Sequence, residues 1–334
     1  MSAVKSIILP VRPQPDTLAA IFILKRFGKE RFPGIEEAGV EIWQTLPQGK
    51  TGEELENEGF ILLDIGGGKF DHHDYRGKTT ASLMVAEFLG VSEDASLAKL
   101  LEYARRDDVF GKGTVSEDPI DRTFGLSAII YTLTKNLPTN PQRVVDIIMP
   151  IFASHHNEEL RRTQELPEEF KKKNDEGGIR TTEARQRGKK LKVVFIESDN
   201  PSMAGYLRSQ GGGKFDVVAQ RLTSGHVNVL TRQAKHIDLR ALAMVLRIEE
   251  LASRNLDIDL PAQELTRTTR IKDVPEWYYD RATNTIQNGG VNPKDVEPTA
   301  IDWDKMPQLF DVGLGEKIWS PIQFNGPVED RLDK

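Results

Sequence analysis

The chain has 334 residues, 38% of them hydrophobic and 29% charged, with 45 Lys and Arg against 51 Asp and Glu for a formal charge of −6. That length suits two domains of ordinary size, and the acidic balance excludes a generally basic nucleic-acid binder while leaving room for a local basic groove. No cysteine is present, which excludes disulfides, thiolate catalysis and Cys-based zinc or iron–sulfur sites, and no apolar run approaches the length of a membrane span.

The opening stretch MSAVKSIILPV has a short apolar run without a signal-peptide layout. It reads as a first strand, in a cytoplasmic protein without membrane attachment. A proline-stiffened loop, Arg12 to Asp16, leads into a helix over Asp16–Phe27, whose apolar spacing is helical and whose end is basic. Val40–Gln44 and Phe60–Asp64 read as further strands. Helices follow over Thr79–Leu89, Ser96–Asp107, Leu126–Lys135 and Gln142–Lys173. Thr79 and Thr80 are both candidate N-caps for the first of these. The charged tract at 161–190 reads as a helical connector between a domain at 1–160 and one at 191–334. The second domain repeats the alternation: strands at Leu191–Glu197, Phe215–Gln220 and His226–Thr231, and helices at Ser202–Ser209 and Leu239–Leu251, the last with Asp238 as a cap. From about Pro275 the chain reads as an irregular tail with a late strand or two. The fold class expected is α/β: a mostly parallel sheet flanked by helices, then a smaller mixed α/β domain.

Chemistry concentrates in ILLDIGGGKFDHHDY, residues 61–75. A buried strand ends at Asp64, three glycines follow at 66–68, and Asp71-His72-His73 comes next. Ligands bind past strand ends in open α/β sheets, and carboxylates with imidazoles suit Mn²⁺, Fe²⁺ or Zn²⁺. Asp107-Asp108 ends a predicted helix, where negative charge opposes the dipole. A solvated acidic helix end and metal ligation are both open there. Arg12, Gln14, Asp16, Asp64, Asp71, His72, His73, Asp107 and Asp108 therefore form the candidate site, with room for one or two divalent ions. His155-His156 points its members to different faces of a predicted surface helix, and Trp277-Tyr278-Tyr279 reads as a cluster packing the tail onto a core.

The order of strand, P-D-T loop, strand-end Asp64, Asp71-His72-His73 and a later aspartate resembles the DHH phosphoesterase superfamily, in particular its Myg-type, exonuclease-like branch. The resemblance spans most of residues 5–250, with about a dozen specific positions. It implies a DHH-type metal-binding domain at 1–160 and a substrate-contacting domain at 191–334. It further implies Mn²⁺ or Mg²⁺ as cofactor, a nucleotide or short single-stranded nucleic acid as substrate, and allows for a homodimer. Carried over by position, Asp16, Asp64, His72 and Asp107 or Asp108 are the metal ligands, with Asp107 slightly favoured. Asp71, His73 and Arg12 serve catalysis. Gly67, Gly68 and His226 are the candidate substrate contacts, with His226 as an ordinary strand residue the alternative reading.

The first motif departs from the family, which has a His, three residues, then Asp-x-Asp. Here Arg12 stands for the histidine and Leu18 for the second aspartate; one register over, Gln14 and Asp16 take the paired positions. Arginine cannot ligate a cation but can bind phosphate. The function expected is divalent-metal-dependent phosphoester hydrolysis by activated water, with a protein that binds nucleotide or phosphate without cleaving it as the alternative.

Overall fold

The apolar run after Lys5 forms β1, Ser6–Leu9, the central strand of a three-stranded sheet in the order β2-β1-β3. β2 is Gly39–Ile42 and β3 is Phe60–Leu62; both run parallel to β1, with Ser6 opposite Gly39 on one side and Phe60 on the other. The computed structural model describes residues 3–73, 79–111, 113–289 and 296–315. The chain divides into two units, Met1–Thr163 and Gln164–Lys334.

In the first unit strand alternation sorts the core. Ile7, Leu9, Ile61 and Leu63 enter the main cluster, whereas Ile8 and Leu62 point the other way and pack with Leu55. A parallel strand buried on both faces has no polar side, which is why these runs are continuously apolar. Helix α1, Pro15–Phe27, is buried from Pro15 to Leu24. Its start is fixed by Thr17, whose Oγ1 accepts from the Gln14 N–H at 3.0 Å and donates to the Gln14 carbonyl at 2.9 Å, and by Pro15 in the first turn. Short α2, Gly52–Asn57, opens on a Thr51/Glu54 capping box. Helix α3, Ala81–Leu89, is capped by Thr80 and stopped by left-handed Gly90. Helices α4, Ala98–Phe110, α5, Pro119–Phe124, α6, Leu126–Asn136, and α7, Pro141–Leu160, complete the unit.

One long helix over 142–173 is not what forms. After α7 a π-helical turn, Arg161–Glu165, intervenes before α8, Leu166–Asp175. Pro167 accounts for it: it has no N–H for the Thr163 carbonyl four residues back, so the ladder widens. His156 also differs from expectation. It is buried, its ring packs edge-on against Phe22 and Phe27, and Nε2 lies 3.0 Å from Ser96 Oγ. The helix carrying it packs on α1 rather than facing water with both histidines.

The second unit is built on a seven-stranded sheet of order β4-β5-β6-β7-β10-β9-β8. Its elements are β4, Ile179–Gln186, β5, Lys189–Glu197, α9, Met203–Arg208, β6, Val217–Arg221, β7, Val227–Thr231, α10, Arg240–Ser253, and α11, Ala262–Leu265. They are followed by β8, Thr269–Ile271, β9, Val274–Asp280, β10, Thr285–Asn288, and α12, Met306–Leu314. Only β5 and β6 pair in parallel; the other neighbours are antiparallel. Val193 and Phe195 face one core and Val194 and Ile196 the other.

The charged tract at 161–190 carries regular elements. It is helix as far as Asp175, then edge strand β4, closed onto β5 by a two-residue turn in which Arg187 and Gly188 both have positive φ, 50° and 72°. Left-handed pairs of this kind match the twist of a hairpin, and charged side chains on an edge strand keep it from pairing with other chains. The tail is also more regular than expected. Trp277 and Tyr279 of β9 are core residues, and Trp277 Nε1 donates to buried Glu250 Oε2 at 2.9 Å. Residues past Gly315 lie outside the described residues.

Candidate metal centre

Asp64 lies two residues past β3 in the left-handed region, φ 57°, a conformation that aspartate tolerates better than most residues. Its N–H donates to the Phe70 carbonyl at 3.0 Å, so the glycine loop returns at once to the strand it left. That closure delivers Asp71, His72 and His73 back beside Asp64. The loop also explains the glycines. A Cβ on Gly66, φ 73°, would lie 2.6 Å from the Leu46 side chain, and the Gly67 N–H donates to Asp71 Oδ2 at 2.8 Å. Gly68 packs within 3.2 Å of Leu62 by the same measure. The structure thus uses Gly67 and Gly68 to build the loop that presents Asp71.

His72 is the centre of the cluster. Its Nε2 lies 3.0 Å from Asp64 Oδ1, 3.8 Å from Asp108 Oδ1 and 3.9 Å from Asp16 Oδ2. Both Nε2 and Asp64 Oδ1 are buried; the protonated ring and Asp64 form an ion pair, and neither atom has a further hydrogen-bond partner among the described residues. Crowded by carboxylates, Asp64 first, the imidazole has its pKa raised to about 9, against the opposing effect of burial. Asp108 is shifted upward, chiefly by burial and then by Asp16, Asp64 and Asp107, with His72 opposing.

The remaining predicted residues separate by what already holds them. The Asp16 carboxylate, buried in the first turn of α1, accepts from the Ala81 N–H at 2.8 Å, the Ser82 N–H at 3.0 Å and Ser82 Oγ at 2.5 Å. It therefore ties α1 to the N-terminus of α3. Burial raises its pKa against these hydrogen bonds. Asp107, favoured over Asp108 from sequence, is turned away: Tyr131 Oη donates to its Oδ2 at 2.8 Å and the Gly113 N–H to its Oδ1 at 3.2 Å. A signal for this existed, since Asp107 continues the buried row Leu100 and Ala104 at helical spacing and Asp108 does not. Tyr131 and Ser82 were not picked out from sequence, because nothing local marks a hydroxyl as the partner of a distant carboxylate.

His73 is exposed and stacks on His72, ring centroids 5.5 Å apart. Its Nδ1 is 2.6 Å from Asp71 Oδ1 and 3.4 Å from Asp64 Oδ1. Asp71 raises the His73 pKa, and hydrogen bonds from Gly67 and His73 lower that of Asp71 against its burial. Asp64, Asp71 and His73 together satisfy a purely geometric criterion for a cation site. The buried group around His72 differs in that its ring nitrogen faces carboxylates alone, Asp64, Asp108 and Asp16. Arg12 is exposed on the loop before α1 and forms no ion pair among the described residues. His226 belongs to the second unit, buried, with Nδ1 2.9 Å from Ser224 Oγ and Nε2 2.9 Å from the Val296 carbonyl. Both its nitrogens are occupied.

Asp64 and His72 are spaced as two neighbouring ligands of one divalent ion would be. These two buried atoms, 3.0 Å apart, match the separation of adjacent ligands about 2.1 Å from an octahedral ion, roughly 3.0 Å. They define the class of site as a carboxylate–imidazole cluster at a strand end.

No known protein family and no curated protein matches the chain. Among solved structures it is similar to an uncharacterized protein from Helicobacter pylori G27, at 9% sequence identity and a TM-score of 0.24, with 93% of this chain and 99% of that chain covered. A likeness at that level carries no argument. Among the described residues no helix is long and apolar enough to cross a membrane.

Proposed function

We propose that the chain is a divalent-metal-dependent phosphoester hydrolase of the DHH phosphoesterase type, acting on a nucleotide or short single-stranded nucleic acid. The observation that carries this reading is the buried pair Asp64 Oδ1 and His72 Nε2, 3.0 Å apart, with Asp108 beside them and no further hydrogen-bond partner for either atom among the described residues. Asp64, His72 and Asp108 would hold the ion. When bound, a Mn²⁺ or Mg²⁺ ion neutralises phosphoryl oxygens and lowers the pKa of water.

The chain's own residues supply the rest. Asp71 orients the exposed His73 ring through Nδ1 and favours its protonated form, so Nε2 can give a proton to the departing oxygen. Exposed Arg12, in no ion pair among the described residues, offers a guanidinium to a phosphate. Catalysis of phosphoryl transfer needs little more than such positioning and charge neutralisation.

The test is Mn²⁺ calorimetry on the full chain and on His72→Ala, followed by hydrolysis of a short RNA, a short DNA and bis(p-nitrophenyl) phosphate. The expected result is a loss of affinity in the variant beyond the roughly 10–100-fold that supporting residues cost, with hydrolysis lost in parallel. Binding without turnover would favour the non-catalytic reading, for which the observation is Leu18, buried in the apolar core where the family has a carboxylate. No binding at millimolar Mn²⁺ would overturn both.

A further inference from the structure

Five carboxylates and two imidazoles crowd this corner of the first unit, and they differ sharply in whether their lone pairs are already used. Asp16 has both oxygens engaged by three donors at the start of α3. Asp107 has both engaged by Tyr131 and Gly113. Asp71 has Oδ2 on the Gly67 N–H and Oδ1 on both the N–H and the ring of His73. These three carboxylates need no cation to complete their bonding. By contrast Asp64 Oδ1 and His72 Nε2, both buried, meet only each other and the His73 ring among the described residues, and the side chain of Asp108 makes no hydrogen bond among them while its Oδ1 stands 3.8 Å from His72 Nε2.

Resting on the metal-dependent reading above, we infer that the centre takes a single divalent cation, held by Asp64, His72 and Asp108, and that Asp16 is a positioning residue that fixes the α1 and α3 termini instead of a ligand. A second ion would need ligands that the described residues do not free. Leu18 is apolar and buried, Arg12 is cationic, and drawing Asp16 onto an ion would strip acceptors from the Ala81 and Ser82 N–H groups. The Asp71–His73 pair is self-satisfied and shares only Asp64 with the His72 group.

The experiment counts ions on the full chain: Mn²⁺ stoichiometry by calorimetry, with electron paramagnetic resonance at saturation to tell isolated from exchange-coupled Mn²⁺. One ion per chain with an isolated signal is expected. Asp108→Asn should weaken binding by at least about 100-fold, whereas Asp16→Asn should keep one ion within about tenfold, no more than the effect of a supporting residue. Circular dichroism establishes that each variant is folded. If Asp16→Asn does not fold, Ser82→Ala takes its place, and the wild-type stoichiometry stands independently of either. Two coupled ions in the wild type, or a folded Asp16→Asn that no longer binds, overturns the inference while leaving metal dependence intact. No Mn²⁺ binding by the wild type instead overturns the metal reading, and this inference with it.

Discussion

At the scale of single residues, His72 dominates because three carboxylates approach one buried ring nitrogen. In the metal-free protein its pKa stands at about 9, above the ordinary 6.5. A raised folded-state value means that the imidazolium stabilises the fold fully below about pH 6.5, and that this contribution fades as pH rises through about 9. The raised values of Asp16 and Asp108 act in the same sense in the acid range, since the fold there prefers their protonated forms. Metal-free wild type should therefore lose thermal stability between pH 7 and 9 more steeply than His72→Gln, and equal slopes would refute the shift. Because a metal needs the neutral ring, Mn²⁺ binding at pH 7.5 should release close to one proton from His72. The dependence of calorimetric enthalpy on buffer ionisation measures that release, and a slope near zero would count against His72 as a ligand.

Elements decide which neighbour of a pair reaches the site. Asp107 and Asp108 are adjacent in sequence, yet α4 rotates by about 100° per residue. One carboxylate therefore joins the buried row of Leu100 and Ala104 and the other reaches His72. The buried one anchors α6 through the Tyr131 hydroxyl. Tyr131→Phe should destabilise the first unit by about 1.5–3 kcal/mol, the range for a hydrogen bond to a charged group, as read from urea unfolding. A change under about 0.5 kcal/mol, the range of an ordinary surface substitution, would mean that Asp107 is satisfied without it. Asp16 does the corresponding work between α1 and α3, where a carboxylate at a helix N-terminus meets both free N–H groups and a favourable dipole.

The whole molecule consists of two units with separate cores: Ile7, Leu18 and Phe152 belong to one, Phe195, Trp277 and Phe310 to the other. All the candidate metal ligands lie in Met1–Thr163. Calorimetric unfolding should resolve two transitions. Saturating Mn²⁺ should raise that of the first unit, by about 2.7 kcal/mol at a hundred times Kd, and leave the second in place. A uniform shift of both transitions would show that they do not unfold independently.

What the sequence determined by itself was local. Continuous apolar runs gave β1 and β3, because a doubly covered strand has no polar face. Asp64, the glycines and Asp71-His72-His73 lie within ten positions, so a short loop was enough to bring them together. Tertiary structure decided whatever depends on partners far away in the chain. It turned Asp107 to Tyr131, engaged Asp16 with residues 81 and 82, placed Leu18 and His156 in the core, and made a charged tract the edge of a sheet. The physical reason is common to these cases. Periodicity reports which face a side chain occupies, but a carboxylate becomes a ligand or a strut according to whether hydrogen-bond donors reach it first, and those donors come from other helices.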